Sequence, residues 1–239
     1  MYSFNKHYFD IIDDEHKAYW LGFIWSDGYL GYRIRDNGRE EYNLKLSLTD
    51  RDYEHLEKFN YDLNGNYNVH YYNHGKSSFQ AQSGREARLF ITNKHFGEIL
   101  RNTYGIVPHR EDCSKLLKYI PKDLVSHFIR GVVDADGSFC HYNIVERGYV
   151  VNKYDIKICG TIPMLQFIEK SFVDANLISD TSRKLTQRHK EEGRDSRCRT
   201  LELSGKNNVI SVLQYLYKDA TVYLSRKYEK YLNILEVAG

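Results

Sequence analysis

Two short stretches of the chain each combine an apolar helical pattern with a terminal aspartate. They are WLGFIWSDG, residues 20–28, and IRGVVDADG, residues 129–137, so that Asp27 and Asp136 lie 109 positions apart. If these two carboxylates meet, they repel by roughly 4 kcal/mol at an effective dielectric near 20, and they then share a proton or hold a cation. Each aspartate also ends a predicted helix, whose negative C-terminal dipole favours a cation. The pair therefore predicts a site for Mg²⁺, which Mn²⁺ or Ca²⁺ can also occupy.

Small residues within the same stretches indicate how the carboxylates could be brought together. Gly22 and Ser26 lie four residues apart in the first stretch, as do Gly131 and Ala135 in the second. Residues at this spacing share one helix face, and small side chains there allow two helices to approach closely. We therefore expect these four residues to form the interface of two paired helices.

Either stretch alone is also compatible with an ordinary turn at the end of a helix, with Gly28 and Gly137 as C-terminal glycines. The occurrence of two such stretches at corresponding places of a duplicated chain favours the paired site. A third interpretation is a structural scaffold in which the two aspartates have no functional role.

The residues after each stretch follow the same order of elements. Tyr42, Leu44, Leu46 and Leu48 alternate with polar residues in the first half, and Tyr154, Ile156 and Ile158 do so in the second. Such alternation predicts half-buried strands of antiparallel sheets. Each half then reads helix, two strands, helix, two strands, helix, which predicts an α+β fold with two pseudo-twofold-related units. The predicted boundaries are a first unit at 1–105, a connector at 106–121 and a second unit at 122–239.

Composition and other motifs narrow the functional classes. The 239 residues carry a net charge of +2, which is too small to identify a partner. No apolar run is long enough for a membrane helix, and the first residues lack a secretory signal, so we expect an intracellular protein without a membrane partner. The four cysteines form no CxxC pair and predict buried or half-buried thiols, without a zinc site or disulfides. Walker, nucleophile-elbow and dinucleotide-binding motifs are absent from the sequence.

The two stretches resemble the LAGLIDADG signature of homing endonucleases, with residues 129–137 a close copy and residues 20–28 a degenerate one. The resemblance in repeat organisation extends over nearly the whole chain, as in single-chain members with two motifs. HFIRGVVDADGSF and the terminal LSRKYEKYL are similar to phage and bacterial members associated with introns or inteins.

Membership would imply a saddle of two sheets over a long DNA duplex, with the two motif helices forming the interface of a monomer. It would also imply that Asp27 and Asp136 bind the metal and that the carbonyls of Ser26 and Ala135 complete the ligands. Family members use a basic residue near each scissile phosphate. The positions of Lys227 and Arg110 imply this role. The implied activity is site-specific, metal-dependent cleavage of both DNA strands.

Two departures leave an alternative open. The sixth motif position is Trp25 in the first copy and Asp134 in the second, and an aromatic side chain there is expected to pack. Arg110 is followed by Glu111 and Asp112 instead of a hydroxyl residue, so this half could lack its basic helper. The alternative is a DNA- or RNA-binding protein that does not cleave, such as a maturase or a regulator.

The polar positions of the predicted strands and hairpins form the candidate interface with double-stranded DNA. Arg and Lys suit guanine edges and phosphates, whereas Asn and Gln suit adenine or water-bridged contacts. The predicted DNA-contacting residues are Arg33, Arg35, Asn43, Lys45, Ser47, Asn68, Gln80, Gln82, Asn143, Lys153, Lys157, Lys184, Gln187, Arg188, Lys190, Arg197 and Arg199.

Overall fold

The computed structural model describes residues 2–73, 84–178 and 198–239, together with the backbone of residues 183–187. These residues form eight helices and eight strands, which repeat one order of elements twice. The helices are α1 (Glu15–Asp27), α2 (Tyr53–Asp62), α3 (Lys94–Glu98), α4 (Ser114–Leu117), α5 (Val125–Asp136), α6 (Ile162–Asp174), α7 (Lys206–Tyr217) and α8 (Ser225–Ala238). The strands are β1 (Tyr29–Ile34), β2 (Glu40–Thr49), β3 (His70–Asn73), β4 (Arg85–Thr92), β5 (Gly137–Glu146), β6 (Tyr149–Gly160), β7 (Arg183–Gln187) and β8 (Arg199–Ser204).

Two antiparallel four-stranded sheets have the same topology, with strand orders β1-β2-β4-β3 and β5-β6-β8-β7. Leu44 pairs with Ile91 in the first sheet, and Ile156 pairs with Leu203 in the second. These four residues are buried, while their neighbours along each strand alternate toward the other face. Each sheet therefore has one face in the core and one open face, as antiparallel sheets commonly do.

Helix α1 is apolar on nearly all sides because it lies between the two halves. Every residue from Ala18 to Trp25 is buried. Asp14 begins the helix by accepting a 2.8 Å hydrogen bond from the Lys17 amide. At the other end, the Gly28 amide donates to the Ile24 carbonyl, and the chain continues directly into β1. A helix that is hydrophobic all round is expected to be buried on all sides.

The backbones of α1 and α5 touch at two glycines. A Cβ atom on Gly22 would lie 2.1 Å from the Phe128 carbonyl oxygen, and one on Gly131 would lie 2.0 Å from the Tyr19 carbonyl oxygen. The contact is reciprocal, because each glycine faces the backbone of the partner helix. Only glycine allows this approach, which places the C-terminal ends of both helices side by side.

Buried polar side chains hold the crossing in register. The Asp134 carboxylate accepts hydrogen bonds from the hydroxyls of Tyr19 at 2.7 Å and Tyr217 at 2.5 Å and from the Leu224 amide at 2.7 Å. One turn earlier on α5, the fully buried Arg130 donates to Glu15 at 2.6 Å. Since a buried polar group that loses its partner costs about 1–3 kcal/mol, any shift of α5 against α1 is unfavourable.

The predicted fold class is confirmed. Helix α3 is followed by one π-helical turn at Ile99–Thr103. The Asp52 carboxylate makes no capping bond with α2 and instead accepts from Arg226 in the second half at 3.0 Å. The four cysteines are free, and Cys113 is buried while the others are half-buried. Among the described residues, no helix has the length and apolarity that a membrane span requires.

We expect Gly131→Ala to destabilise the protein. Alanine normally stabilises a helix relative to glycine by about 1 kcal/mol, but here the added methyl would press on the Tyr19 carbonyl and the Phe23 amide nitrogen. Overpacking against backbone should reverse the sign and cost about 3 kcal/mol. Chemical denaturation measures this change.

Gly160→Ala is the matched control, because its Cβ would meet the Leu165 side chain at an ordinary 3.4 Å. Equal stabilities of the two variants would contradict the close helix contact.

Candidate active site

The two motif aspartates lie at the adjoining ends of α1 and α5, at the mouth of a crevice between the two halves. The crevice has a volume of about 330 Å³ and opens to solvent. Asp136 lines it together with Trp25, Ser26 and Arg110 from the first half and Thr161 from the second. Residues of both halves therefore meet at one accessible site.

The electrostatics show that the two carboxylates sense each other. Asp27 is an exposed residue, although the protein around its carboxylate removes part of the surrounding water. This desolvation, followed by the charge of Asp136, raises the pKa of Asp27 to about 7, although Lys227, Arg110 and Arg226 act in the opposite direction. A carboxylate held in an unfavourable environment by its own fold is a typical feature of a functional site.

A buried lysine completes the end of α5. The Lys227 ammonium, on α8, donates to the carbonyls of Val133 at 2.5 Å, Asp134 at 2.7 Å and Gly137 at 2.6 Å. Burial lowers the pKa of Lys227 to about 8, while Asp134, Asp27 and Asp136 favour its charged form. Because all three ammonium protons are used, Lys227 places a positive charge beside the aspartates and holds the helix end in position.

Arg110 does the same for α1. Its guanidinium donates to the carbonyls of Ile24 at 2.9 Å, Trp25 at 2.6 Å and Gly28 at 3.0 Å. These three acceptors correspond to those of Lys227 at the same offset of 109 positions as the aspartates. A cation is therefore present at the end of α1 as well, since Arg110 reaches this helix end although two acids follow it in the sequence.

Asp112, the second of the two acids that follow Arg110, is bound elsewhere. Asp112 turns to the start of α4, where it accepts from the Ser114 amide and hydroxyl at 2.8 Å each. Trp25 packs as expected, with 5% of its surface exposed, and its ring lies 5.4 Å from the Arg110 guanidinium carbon. The aromatic face thus partners the cation in this half, whereas Asp134 lies near Lys227 in the other.

The donor set fits a divalent metal of the Mg²⁺ class. Two carboxylates whose repulsion raises the pKa of Asp27 gain from a cation between them, and oxygen ligands suit Mg²⁺, Mn²⁺ and Ca²⁺. The Ser26 carbonyl accepts a long, 3.3 Å hydrogen bond from Arg110. The carbonyl of Ala135 occupies the corresponding place at the end of α5.

The open faces of the sheets carry several predicted DNA-contacting residues, and most of these are paired with acids. Arg33 and Arg35 both bind the Glu41 carboxylate. Lys153 lies 2.9 Å from Glu146 and Lys157 lies 3.4 Å from Glu202. In the first half, Asn43 donates a hydrogen bond to the Thr92 hydroxyl, and the Lys45 ammonium lies 5.4 Å from the Tyr29 ring centroid. Asn68 is exposed in the loop before β3.

The strand pairing bears on three further predicted DNA contacts. Asn143 has the strand parity of the buried Phe139, and Arg199 has that of Leu201, so both lie on the face of the second sheet opposite to Lys153 and Lys157, although Asn143 itself is exposed. Ser47 lies on the open face of the first sheet, and its hydroxyl has no hydrogen-bond partner among the described residues. Loops and strand ends conceal the parity of a residue, which is why the sequence misplaced the first two.

Other predicted contacts fall where side chains are not described. Lys184 and Gln187 lie on β7, where they pair in register with Glu202 and Arg199. The predicted contacts Gln80, Gln82, Arg188, Lys190 and Arg197 lie outside the described residues.

Sequence reasoning also missed several residues that support the site. Tyr19 and Tyr217 hold Asp134, and Arg226 adds a positive charge near Asp27 while bound to Asp52. The LSRKY segment was the only sequence signal for these residues, since it contains Arg226. The two tyrosines have the pattern of ordinary apolar helix positions.

We expect Asp27→Asn to stabilise the protein at pH 8 in the absence of divalent cations. The folded pKa of about 7 lies above the usual value of 3.8, so the stability contributed by the protonated form is full below pH 3.8 and is lost as pH rises through 7. The amide removes this loss, and the melting temperature of the variant should therefore exceed that of the wild type more at pH 8 than at pH 5.

Asp36→Asn, in the exposed β1–β2 turn, controls for the change in net charge. A gain independent of pH, or an equal gain in the control, would contradict the repulsion between Asp27 and Asp136.

We expect Lys227→Met to destabilise the protein by about 3 kcal/mol, because three buried carbonyls lose their donor and Asp134 loses its nearby cation. Lys230→Met, at an exposed position of the same helix, should change stability little. Urea denaturation of both variants measures the difference, and similar midpoints would show that Lys227 does not hold the helix end.

Comparison with known proteins gives matches in structure and none in sequence. No family sequence model matches the chain, and neither does any curated protein. The crystal structure of the LAGLIDADG homing endonuclease I-LtrWI bound to target DNA is 11% identical over 94% of this chain and 90% of that chain, with a TM-score of 0.61. The LAGLIDADG meganuclease I-AabMI bound to uncleaved DNA is 13% identical over 95% and 90%, with a TM-score of 0.58.

A further similar structure is I-SmaMI bound to an uncleaved DNA target in the presence of calcium ions. It is 12% identical over 95% of this chain and 91% of that chain, with a TM-score of 0.58. These alignments span both halves, and the structure joins the halves through two motif helices that end in paired aspartates. The chain therefore has the fold of the LAGLIDADG homing endonucleases.

Proposed function

We propose that the protein is a site-specific endonuclease that makes a metal-dependent double-strand break in a long DNA target. The observation that carries this proposal is the juxtaposition of Asp27 and Asp136 at the ends of α1 and α5, each helix end being held by its own cation. The similar structures I-LtrWI, I-AabMI and I-SmaMI are DNA complexes, which supports duplex DNA as the partner. We further propose an intracellular monomer of the phage or bacterial intron-associated type.

The two carboxylates serve to bind divalent metal, with Mg²⁺ as the proposed ion. A cation held there would activate water and would stabilise the leaving oxygen of a phosphodiester. The fold positions each carboxylate, because both aspartates end helices that pack closely through Gly22 and Gly131. One carboxylate from each half suits chemistry on two antiparallel strands, because the pseudo-twofold axis of the protein then matches that of the duplex.

Arg110 and Lys227 provide positive charge at the site. Lys227 is buried and Arg110 is half-buried, and both donate to helix-end carbonyls, so they attract a phosphate mainly through their field. A direct hydrogen bond from Lys227 to a phosphate would require one of its carbonyl contacts to break.

The open faces of the sheets supply the proposed DNA-reading surface. Arg33 and Arg35 share Glu41, and Lys157 is paired with Glu202, so part of the positive charge is already balanced. Paired cations are held in defined orientations, which favours readout of base edges over general attraction to phosphates.

A non-cleaving binder is the alternative proposal. The degenerate first motif favours it, because Trp25 occupies the position that Asp134 holds in the second motif. Both metal-binding aspartates and both cations are nevertheless present, which supports cleavage.

A randomised duplex library tests the proposal directly. We expect incubation with Mg²⁺ to yield cleaved ends that share one long sequence, and incubation with EDTA to yield the same duplexes bound and intact. Sequencing of bound and cleaved fractions measures both outcomes. Bound but intact DNA under both conditions would establish the binder, and no binding at low salt would exclude both proposals.

We expect Asp136→Asn to retain binding of the selected duplex and to lose cleavage by about 100-fold or more, because it removes metal-binding charge and leaves the sheets unchanged. A gel that separates bound, nicked and cut DNA measures all three outcomes. Asp155→Asn, on the open face of the second sheet, is the control that should alter binding and leave cleavage of bound DNA unchanged. Full cleavage by Asp136→Asn would refute its role.

A further inference from the structure

A second group of metal-ligand side chains lies on the first half, away from the crevice. Asp10 accepts from two histidines through separate oxygens: His7 Nδ1 lies 2.7 Å from Oδ2, and His95 Nε2 lies 2.7 Å from Oδ1. The two imidazole ring centroids are 4.5 Å apart. One ligand atom from each of the three residues lies within 4.8 Å of the others. Among the described residues, this is the one cluster of three such side chains.

The core holds the backbone of all three residues in position. His7 and Asp10 belong to one turn, in which the Asp10 amide donates to the His7 carbonyl at 3.1 Å. Between them, Phe9 is fully buried and its ring lies 5.5 Å from that of Phe96, which directly follows His95. The aromatic pair thus joins the N-terminal turn to α3 and brings the three polar side chains together at the surface.

We propose that His7, Asp10 and His95 form a binding site for a single Zn²⁺ ion. Two imidazole nitrogens and one carboxylate oxygen are typical zinc ligands at about 2.0–2.2 Å, and water completes a tetrahedral site with three protein ligands. Such geometry separates ligand atoms by about 3.3 Å. The two contacts of 2.7 Å use different oxygens of Asp10, so the carboxylate has to turn until one oxygen faces both imidazoles and the side chains have to move apart by about half an ångström. The side chains are between 35% and 57% exposed, which leaves them room to do so.

The ligand chemistry differs from that of the crevice. Imidazole selects Zn²⁺ over Mg²⁺, whereas the paired aspartates offer only oxygen. An ion at this site would fasten the N-terminal turn to α3.

The cluster does not follow from the duplicated fold. Lys94 of the first half corresponds to Lys206 of the second, so the counterpart of His95 is Asn207. The three ligands are therefore a local feature of the first half, unlike the paired aspartates and their cations.

Cobalt(II) is a suitable probe because a tetrahedral Co²⁺ site absorbs strongly in the visible range. The full-length Asp27→Asn/Asp136→Asn double variant removes the crevice carboxylates. In this background we expect one equivalent of Co²⁺ to produce tetrahedral absorption, one equivalent of Zn²⁺ to abolish it, and Zn²⁺ to raise the melting temperature. His95→Gln should weaken binding by about tenfold or more.

His70→Gln, which alters an exposed histidine on β3, is the matched control and should leave the cobalt spectrum unchanged. Asp10→Asn provides a second ligand variant should His95→Gln fail to fold. Weak octahedral absorption in the double variant, or a tetrahedral spectrum that survives both ligand substitutions, would overturn the proposed site. Loss of DNA cleavage plays no part in this test, so its outcome is independent of the proposed nuclease function.

Discussion

The contact between the backbones of α1 and α5 is the constraint on which the rest of the structure depends. Gly22 faces the Phe128 carbonyl and Gly131 faces the Tyr19 carbonyl, so neither position has room for a side chain. Two helices that meet this closely at their centres also end close together. The crossing therefore determines where Asp27 and Asp136 lie, and it sets the two sheets on either side of one axis.

This arrangement creates an electrostatic difficulty that the surrounding residues offset. Two helix C-termini and two carboxylates place four negative features in one small region. Arg110 and Lys227 bind the terminal carbonyls and so reduce the repulsion, while desolvation and, after it, the charge of Asp136 still raise the pKa of Asp27. A bound divalent cation would relieve the remaining repulsion, which links the stability of the helix crossing to the proposed chemistry.

The sequence allowed the helices, strands, paired aspartates and small interface residues to be predicted, because these follow from local spacing. It did not allow prediction of the contacts around Asp134, since Tyr217 and Leu224 lie 83 and 90 positions away. Arg110 was correctly noted as a basic residue, but its reach to α1 depends on a bond across 86 positions. Asn143 and Arg199 were placed on the wrong face because strand parity near an end depends on register, which pairing partners determine.

The two halves show why the fold persists at 11–13% identity to solved structures. The two halves stabilise their helix ends with different residues. Arg110 has in the first half the role that Lys227 has in the second. The Trp25 ring lies beside Arg110, whereas the Asp134 carboxylate lies near Lys227. What both halves share is a glycine at the crossing, an acid at the helix end and a cation beneath it. The strands need only alternation of polar and apolar residues, so most positions are free to change while the geometry of the paired aspartates is kept.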